Sequence, residues 1–325
     1  MRFLLSSSTM RRFGLLLSVF LCLLPAFAQR GRVALVLGGG GAKGAAEIGV
    51  IKVLEEEGIP IDMVVGTSIG SLVGGLYAYG YTAAQLDSIM RAPNWTDLLT
   101  DRNPEHANTP ITIEDGTVSI FGIPLWGRRR DGETVQFGLV RGHNVLDMFT
   151  RLLPATDSIS FDSLQRPFRA VAFDVNTRTE VDLDSGSLPL AMRASMSLPV
   201  FFSPVQYGSW RLIDGGVLNN LPVDVARSMG AQYVIAIDLA QRGADLDREE
   251  NFWQSVRRRL GIDDRPKYVA ARHDIDLYFN PPLQGYGVES FSHRAVDEMI
   301  RIGEQHARDQ LQQIRALKTL LRDTL

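Results

Sequence analysis

Residues 32–80 read RVALVLGGGGAKGAAEIGVIKVLEEEGIPIDMVVGTSIGSLVGGLYAYG. Positions 32–37 form a short apolar run that ends on glycines, the form of a buried strand. Across 42–57, Ala45, Ile48, Ile51 and Leu54 recur every third residue. Glu55, Glu56 and Glu57 make the last turn polar, which predicts a helix closed by Gly58. Positions 61–65 predict a second strand. Ile69–Tyr79 predicts a helix of small residues, stopped at Gly80. Strand, helix, strand, helix in so short a span means parallel βαβ units. The fold class is α/β: three layers, α/β/α, around a mainly parallel central sheet.

The pattern continues outward. Thr82 with Gln85 is a capping box that opens another helix. Later strands are predicted at 168–175, 179–183, 211–213 and 232–239, and one long amphipathic helix at 295–321. Residues 95–150 break the alternation. Asp115-Gly116 between alternating arms signals a hairpin, followed by Ile123-Pro124-Leu125-Trp126 and the basic run Arg128, Arg129, Arg130. The expected organisation is a single domain over 29–325, with an insertion at about 95–150 and a C-terminal helical extension at about 290–325.

The chain has 325 residues, 45% hydrophobic and 22% charged, with net charge −3. These values exclude a disordered chain, a coiled coil and a multi-span membrane protein, and leave no basic field for nucleic acid. The one cysteine, Cys22, excludes a disulfide scaffold and a cysteine-ligated metal site. Neither a metal nor a cofactor motif is present, so neither is expected. Residues 1–28 hold Arg2, Arg11 and Arg12, then a short apolar run, then Ala26-Phe27-Ala28. This reads as a cleaved secretory signal with a mature chain from Gln29. The expected location is the periplasm, the outer-membrane surface or the medium.

Two glycine motifs sit at the strand–helix turns. Gly39-Gly40-Gly41-Ala42-Lys43-Gly44 satisfies G-x-G-x-x-G, the dinucleotide fingerprint, and offers a row of N–H groups to any anion. The acid that should hold a ribose is misplaced, because Asp62 lies at the start of its strand. Gly66-Thr67-Ser68-Ile69-Gly70 is G-x-S-x-G, a sharp turn that exposes Ser68 Oγ. The same residues would also suit a plain helix start with Ser68 as N-cap. In a parallel sheet the two turns lie at neighbouring strand ends, the first supplying oxyanion donors and the second a nucleophile.

A serine needs a base. His106, His143, His273, His293 and His306 lack strand-end settings. Asp214, in Arg211-Leu212-Ile213-Asp214-Gly215-Gly216, follows a short apolar strand and precedes two glycines. A carboxylate there would be a weak base unless burial raised its pKa, and a plain turn aspartate has the same signature.

The three motifs, in this order, resemble the patatin-like phospholipase family, as do Ala194-Ser195-Met196-Ser197-Leu198-Pro199 and Asn219-Asn220-Leu221-Pro222. The resemblance spans about residues 32–240. It implies a patatin-like fold and a Ser–Asp dyad without histidine, with Ser68 as nucleophile and Asp214 as base. The N–H groups of Gly40, Gly41 and Ala42 would line the oxyanion hole, with Ile69 N–H joining. Gly39, Lys43, Gly44, Gly66, Gly70, Gly215 and Gly216 complete the motifs. Glu47 departs from the pattern, since many bacterial members carry histidine there.

The expected function is a serine acyl hydrolase acting on lipid or phospholipid esters, with peripheral contact to a membrane surface. Phe121, Ile123, Leu125 and Trp126 beside the three arginines are the candidate contact, with 257–259 near Phe252 and Trp253 as the second. The alternatives are an esterase or thioesterase for small acyl substrates, and a dinucleotide-binding protein built on the 39–44 loop.

Overall fold

The structure is a computed structural model that describes residues 30–106, 108–114, 117–126, 140–240, 255–262 and 265–323. The expected signal segment, the Asp115-Gly116 turn, the three arginines at 128–130, and Phe252 and Trp253 lie outside the described residues, as do the side chains of Leu125 and Trp126.

In chain order the first elements are β1 (Val33–Leu37), α1 (Ala45–Glu56), β2 (Met63–Thr67), α2 (Ile69–Tyr79), α3 (Ala83–Arg91) and α4 (Trp95–Leu99). Next come β3 (Ile111–Glu114), β4 (Thr117–Ile120), β5 (Ile123–Trp126), α5 (His143–Leu152) and β6 (Ile159–Ser160). The middle holds β7 (Phe168–Asp174), β8 (Thr179–Leu183), β9 (Ser185–Gly186), α6 (Leu188–Ser195), β10 (Val205–Tyr207) and β11 (Trp210–Asp214). The rest is α7 (Val223–Ser228), β12 (Tyr233–Ile237), α8 (Arg265–His273), β13 (Leu277–Phe279), α9 (His293–Asp309) and α10 (Leu311–Asp323).

Strands β7, β2, β1, β12 and β13 lie side by side and parallel. Both faces are covered, which is why these strands read as continuous apolar runs. Val33, Leu35 and Leu37 point into one core with residues of α1, α2 and α9. Ala34 and Val36 point into the other with Val223, Val225 and Ala226 of α7 and Ala271 of α8. The α/β/α layering expected from the sequence is present.

Three details differ from expectation. The helix predicted from residue 42 begins as a 3-10 turn, Gly41–Gly44, because Gly41 has φ of 56° and cannot enter an α-helix directly. The single C-terminal helix is two, since Gln310 leaves helical geometry (φ −105°, ψ 18°) between α9 and α10. The break lets each helix bury its own stripe, Met299 and Ile300 on one, Ile314, Leu317 and Leu321 on the other. The hairpin in the 95–150 segment gains a third strand, making the antiparallel sheet β3-β4-β5. Helix α9 crosses α1 where Gly49 and Gly303 meet, and a Cβ on either would strike the other helix's backbone.

One feature of the sheet positions the site. Strand β7 pairs with β2 through Phe168 to Val171, with β11 through Ala172 to Asp174, and with β8 from Ala170 to Asp174. Since β8 overlaps both partners, β2 and β11 must share the opposite edge of β7, end to end. Thr67 is opposite Val171 and Asp214 is opposite Ala172. The parallel β2 and the antiparallel β11 therefore run into each other at their carboxyl ends.

Candidate active site

Ser68 follows the last residue of β2 and adopts φ 57°, ψ −125°, a conformation that costs roughly 1–3 kcal/mol for a non-glycine residue. The surrounding chain enforces it. A Cβ on Gly66 would strike the Gly70 carbonyl, and one on Gly70 the Leu37 carbonyl. Ser68 N–H donates to Ser195 Oγ at 3.0 Å, and that hydroxyl donates to Val171 O at 2.6 Å. Ser68 occupies the N-cap position of α2, yet its side chain makes no capping bond. The hydroxyl is not committed to holding the helix.

Asp214 is fully buried. Its N–H donates to Ser197 O at 3.0 Å, and its Oδ1 accepts from Gly216 N–H at 2.8 Å, so one oxygen does serve the turn. The buried Oδ2 has no aligned donor. Burial pushes the carboxyl up from 3.8 to about 6, against the pull of the neighbouring Ser68 hydroxyl and the Gly216 N–H. The Ser68 contact falls short of a well-aligned hydrogen bond, as resting catalytic pairs often do. Gly215 permits this burial, because a Cβ there would strike Val171 O.

The glycine loop runs beside the elbow. A Cβ on Gly44 would strike Ile69, and one on Gly39 would stand 3.1 Å from Ser68 Cβ. Gly38 N–H donates to Ile237 O (3.0 Å), Gly39 N–H to Asn220 O (3.2 Å) and Lys43 N–H to Gly40 O (3.3 Å). Ala42 N–H donates to Val288 O at 2.9 Å, which removes Ala42 from the expected oxyanion donors. The N–H groups of Gly40, Gly41 and Ile69 have no acceptor among the described residues. Leu239 closes on Gly40 from one side and Val288 on Gly41 from the other. Lys43 is fully buried within the turn.

The other candidates separate from this cluster. Asp62 is bound at the far end of β2, paired with Arg30 at 2.6 Å and accepting Val33 N–H at 2.7 Å. That leaves the dinucleotide reading without its ribose acid. Among the described residues no histidine hydrogen-bonds Ser68; His306 faces Asn280 N and the Gln310 amide. Glu47 is fully buried with both carboxyl oxygens unpartnered, and burial raises its pKa well above the ordinary value. Among the described residues no three acidic, histidine or cysteine side chains form a metal site. Sequence reasoning gave no role to Ser195 or Asn220 and missed Val288, whose backbone carbonyl carries no residue-type signal.

The patatin-like phospholipase family model matches residues 35–227, which hold all three motifs. The chain belongs to the patatin-like phospholipase family. It is 30% identical over 303 residues to patatin-like phospholipase domain-containing protein 7 of Mus musculus, covering 85% of this chain and 20% of that protein. It is 29% identical over 311 residues to lysophospholipase NTE1 of Debaryomyces hansenii, covering 85% of this chain and 18% of that protein. The chain thus spans about a fifth of the length of these relatives. Among solved structures, VipD from Legionella pneumophila shares the fold with a TM-score of 0.51 at 14% identity, over 88% of this chain and 67% of that one.

Proposed function

We propose that this patatin-like protein is a serine acyl hydrolase that cleaves lipid ester bonds, phospholipid esters included. The observation that carries the reading is the meeting of a strained, uncommitted Ser68 with the unpartnered, buried Oδ2 of Asp214. Ser68 Oγ attacks the acyl carbonyl while its proton passes to Oδ2. The tetrahedral oxyanion takes the free N–H groups of Gly40 and Gly41. The alcohol leaves with the proton from Asp214, and water repeats the sequence to release the fatty acid. A carboxyl near pKa 6 suits both directions of transfer near neutral pH.

A lipid substrate is supported by an apolar tip beside the dyad. Val200 (68% exposed) and Phe201 (38%) follow Ser197, whose carbonyl accepts Asp214 N–H. Phe121 (49%) and Ile111 (62%) expose a second apolar edge at one end of β3 and β4. Contact with a membrane surface would involve these residues. Export through residues 1–28 to the periplasm, the outer-membrane surface or the medium belongs to the same reading.

Lipid mass spectrometry after incubation with a mixed phospholipid extract tests the activity. Released fatty acid and lysolipid, absent with Ser68→Ala, are expected. Hydrolysis of soluble short-chain esters alone would favour the small-substrate reading. A mature N-terminus at Gln29 in envelope or medium fractions is the expected sign of export, and an intact N-terminus in the membrane would overturn it.

A further inference from the structure

Two glycine N–H groups can stabilise an oxyanion only if they point at it. The Gly39–Gly40 peptide is planar and trans, so the Gly39 carbonyl and the Gly40 N–H point in opposite directions. Whatever holds the carbonyl therefore aims the N–H. In this structure the holder is Asn220. Its Nδ2 donates to Gly39 O at 3.1 Å, while its own backbone carbonyl accepts Gly39 N–H at 3.2 Å. One residue grips both polar groups of Gly39.

The carboxamide also lies between the two halves of the site. A Cβ on Gly216 would be 2.7 Å from Asn220 Oδ1 and 3.1 Å from Asp214 Oδ1, and a Cβ on Gly39 would strike the same Oδ1. Asn220 thus stands four residues after Gly216 on the segment that carries the base, and reaches across to the loop that carries the donors. The glycines on both sides leave the carboxamide its room.

We infer that Asn220 is a positioning residue. Its side-chain amide fixes the Gly39 carbonyl and thereby turns the Gly40 N–H toward the developing oxyanion, in register with the Asp214 segment. The inference rests on the acyl-hydrolase reading. Its effect is confined to the transition state, because the backbone bond from Gly39 to Asn220 O survives any change of side chain and keeps the loop docked.

The test compares wild type, Asn220→Ala and Asn220→Leu on a short-chain p-nitrophenyl ester, with a trifluoromethyl ketone that forms a tetrahedral adduct on Ser68. Loss of one oxyanion donor costs about 10²–10³ in rate, so kcat should fall about 10²-fold with KM within about threefold. The ketone should bind weaker by the same factor, because the adduct carries the oxyanion. The acid limb of the pH profile should stay where wild type has it, since Asp214 keeps its Gly216 donor. Asn220→Leu keeps the branched shape, adds no charge beside Asp214 and removes the Nδ2 donor, so it should match Asn220→Ala even if the alanine variant is poorly folded. Turnover within threefold of wild type in a folded variant overturns the inference. A fall in kcat with unchanged ketone affinity, or with a displaced acid limb, also overturns it, because Asn220 would then act through Asp214. An inactive wild type would instead sink the hydrolase reading itself.

Discussion

Replacing Asp214 with asparagine should cut turnover steeply and stabilise the protein in the same step. The carboxyl is raised from 3.8 to about 6, chiefly by burial. Each pKa unit is worth about 1.4 kcal/mol, so ionised Asp214 costs the fold roughly 3 kcal/mol. The folded state keeps this proton to higher pH than the unfolded chain does. Between about pH 4 and pH 6 the unfolded state therefore binds fewer protons, and stability falls as pH rises through that window. Above it the full cost is present, and below it the cost vanishes. Asparagine carries no charge and escapes the effect. Asp214→Asn should gain roughly 3 kcal/mol at pH 8 and less than about 1 kcal/mol at pH 4, while losing about 10²–10⁴-fold or more in rate. Urea unfolding at several pH values measures the first quantity, and hydrolysis of a soluble ester the second. A variant no more stable than wild type at pH 8, or equally favoured at every pH, would refute the buried-base account. Retained turnover would place the base elsewhere.

Gly41→Val should cut turnover about 10²-fold or more, because φ of 56° excludes a β-branched residue and the side chain would strike the Val288 backbone; steady-state kinetics on a soluble ester checks this. Glu47→Gln should match wild type in stability at mildly acidic pH and overtake it as pH rises, since the raised Glu47 carboxyl must otherwise ionise without a partner; unfolding midpoints across pH decide it, and parallel curves would contradict it. Val200→Ser with Phe201→Ser should lower vesicle co-sedimentation and lower hydrolysis of vesicles more than hydrolysis of a soluble ester. Equal loss on both substrates would make the tip structural.

The turn chemistry of the site was legible because glycine spacing is local. Gly66 and Gly70 are needed where the elbow bends, and their collisions with the Gly70 and Leu37 carbonyls are the physical content of the motif. The apolar runs of β1 and β2 were legible for a similar reason, since both faces of these strands are covered. The meeting of Ser68 with Asp214 was not visible in spacing. It depends on β2 and β11 dividing one edge of β7, a pairing register that no local pattern encodes. The loss of Ala42 as a donor was hidden too, because Val288 O comes from a distant backbone whose residue type is immaterial. The break at Gln310 has no glycine or proline to announce it.

The proposed dyad gives histidine no task, and the geometry explains how a carboxylate would work alone. A solvated aspartate near 3.8 would be too weak a base for a serine hydroxyl, and an isolated buried one would keep its proton at neutral pH. Asp214 lies between these limits because burial and hydrogen bonding oppose each other at one group. Gly215 lets the strand end close against Val171 O at the edge of β7, and Gly216 N–H supplies a single donor to Oδ1. More donors would lower the pKa and weaken the base. Fewer would raise it and hold the proton after the alcohol must leave. The two glycines after Asp214 would therefore act on the proposed chemistry through the carboxyl's proton affinity, and the instability of the buried charge follows from the same arrangement that would make it a base.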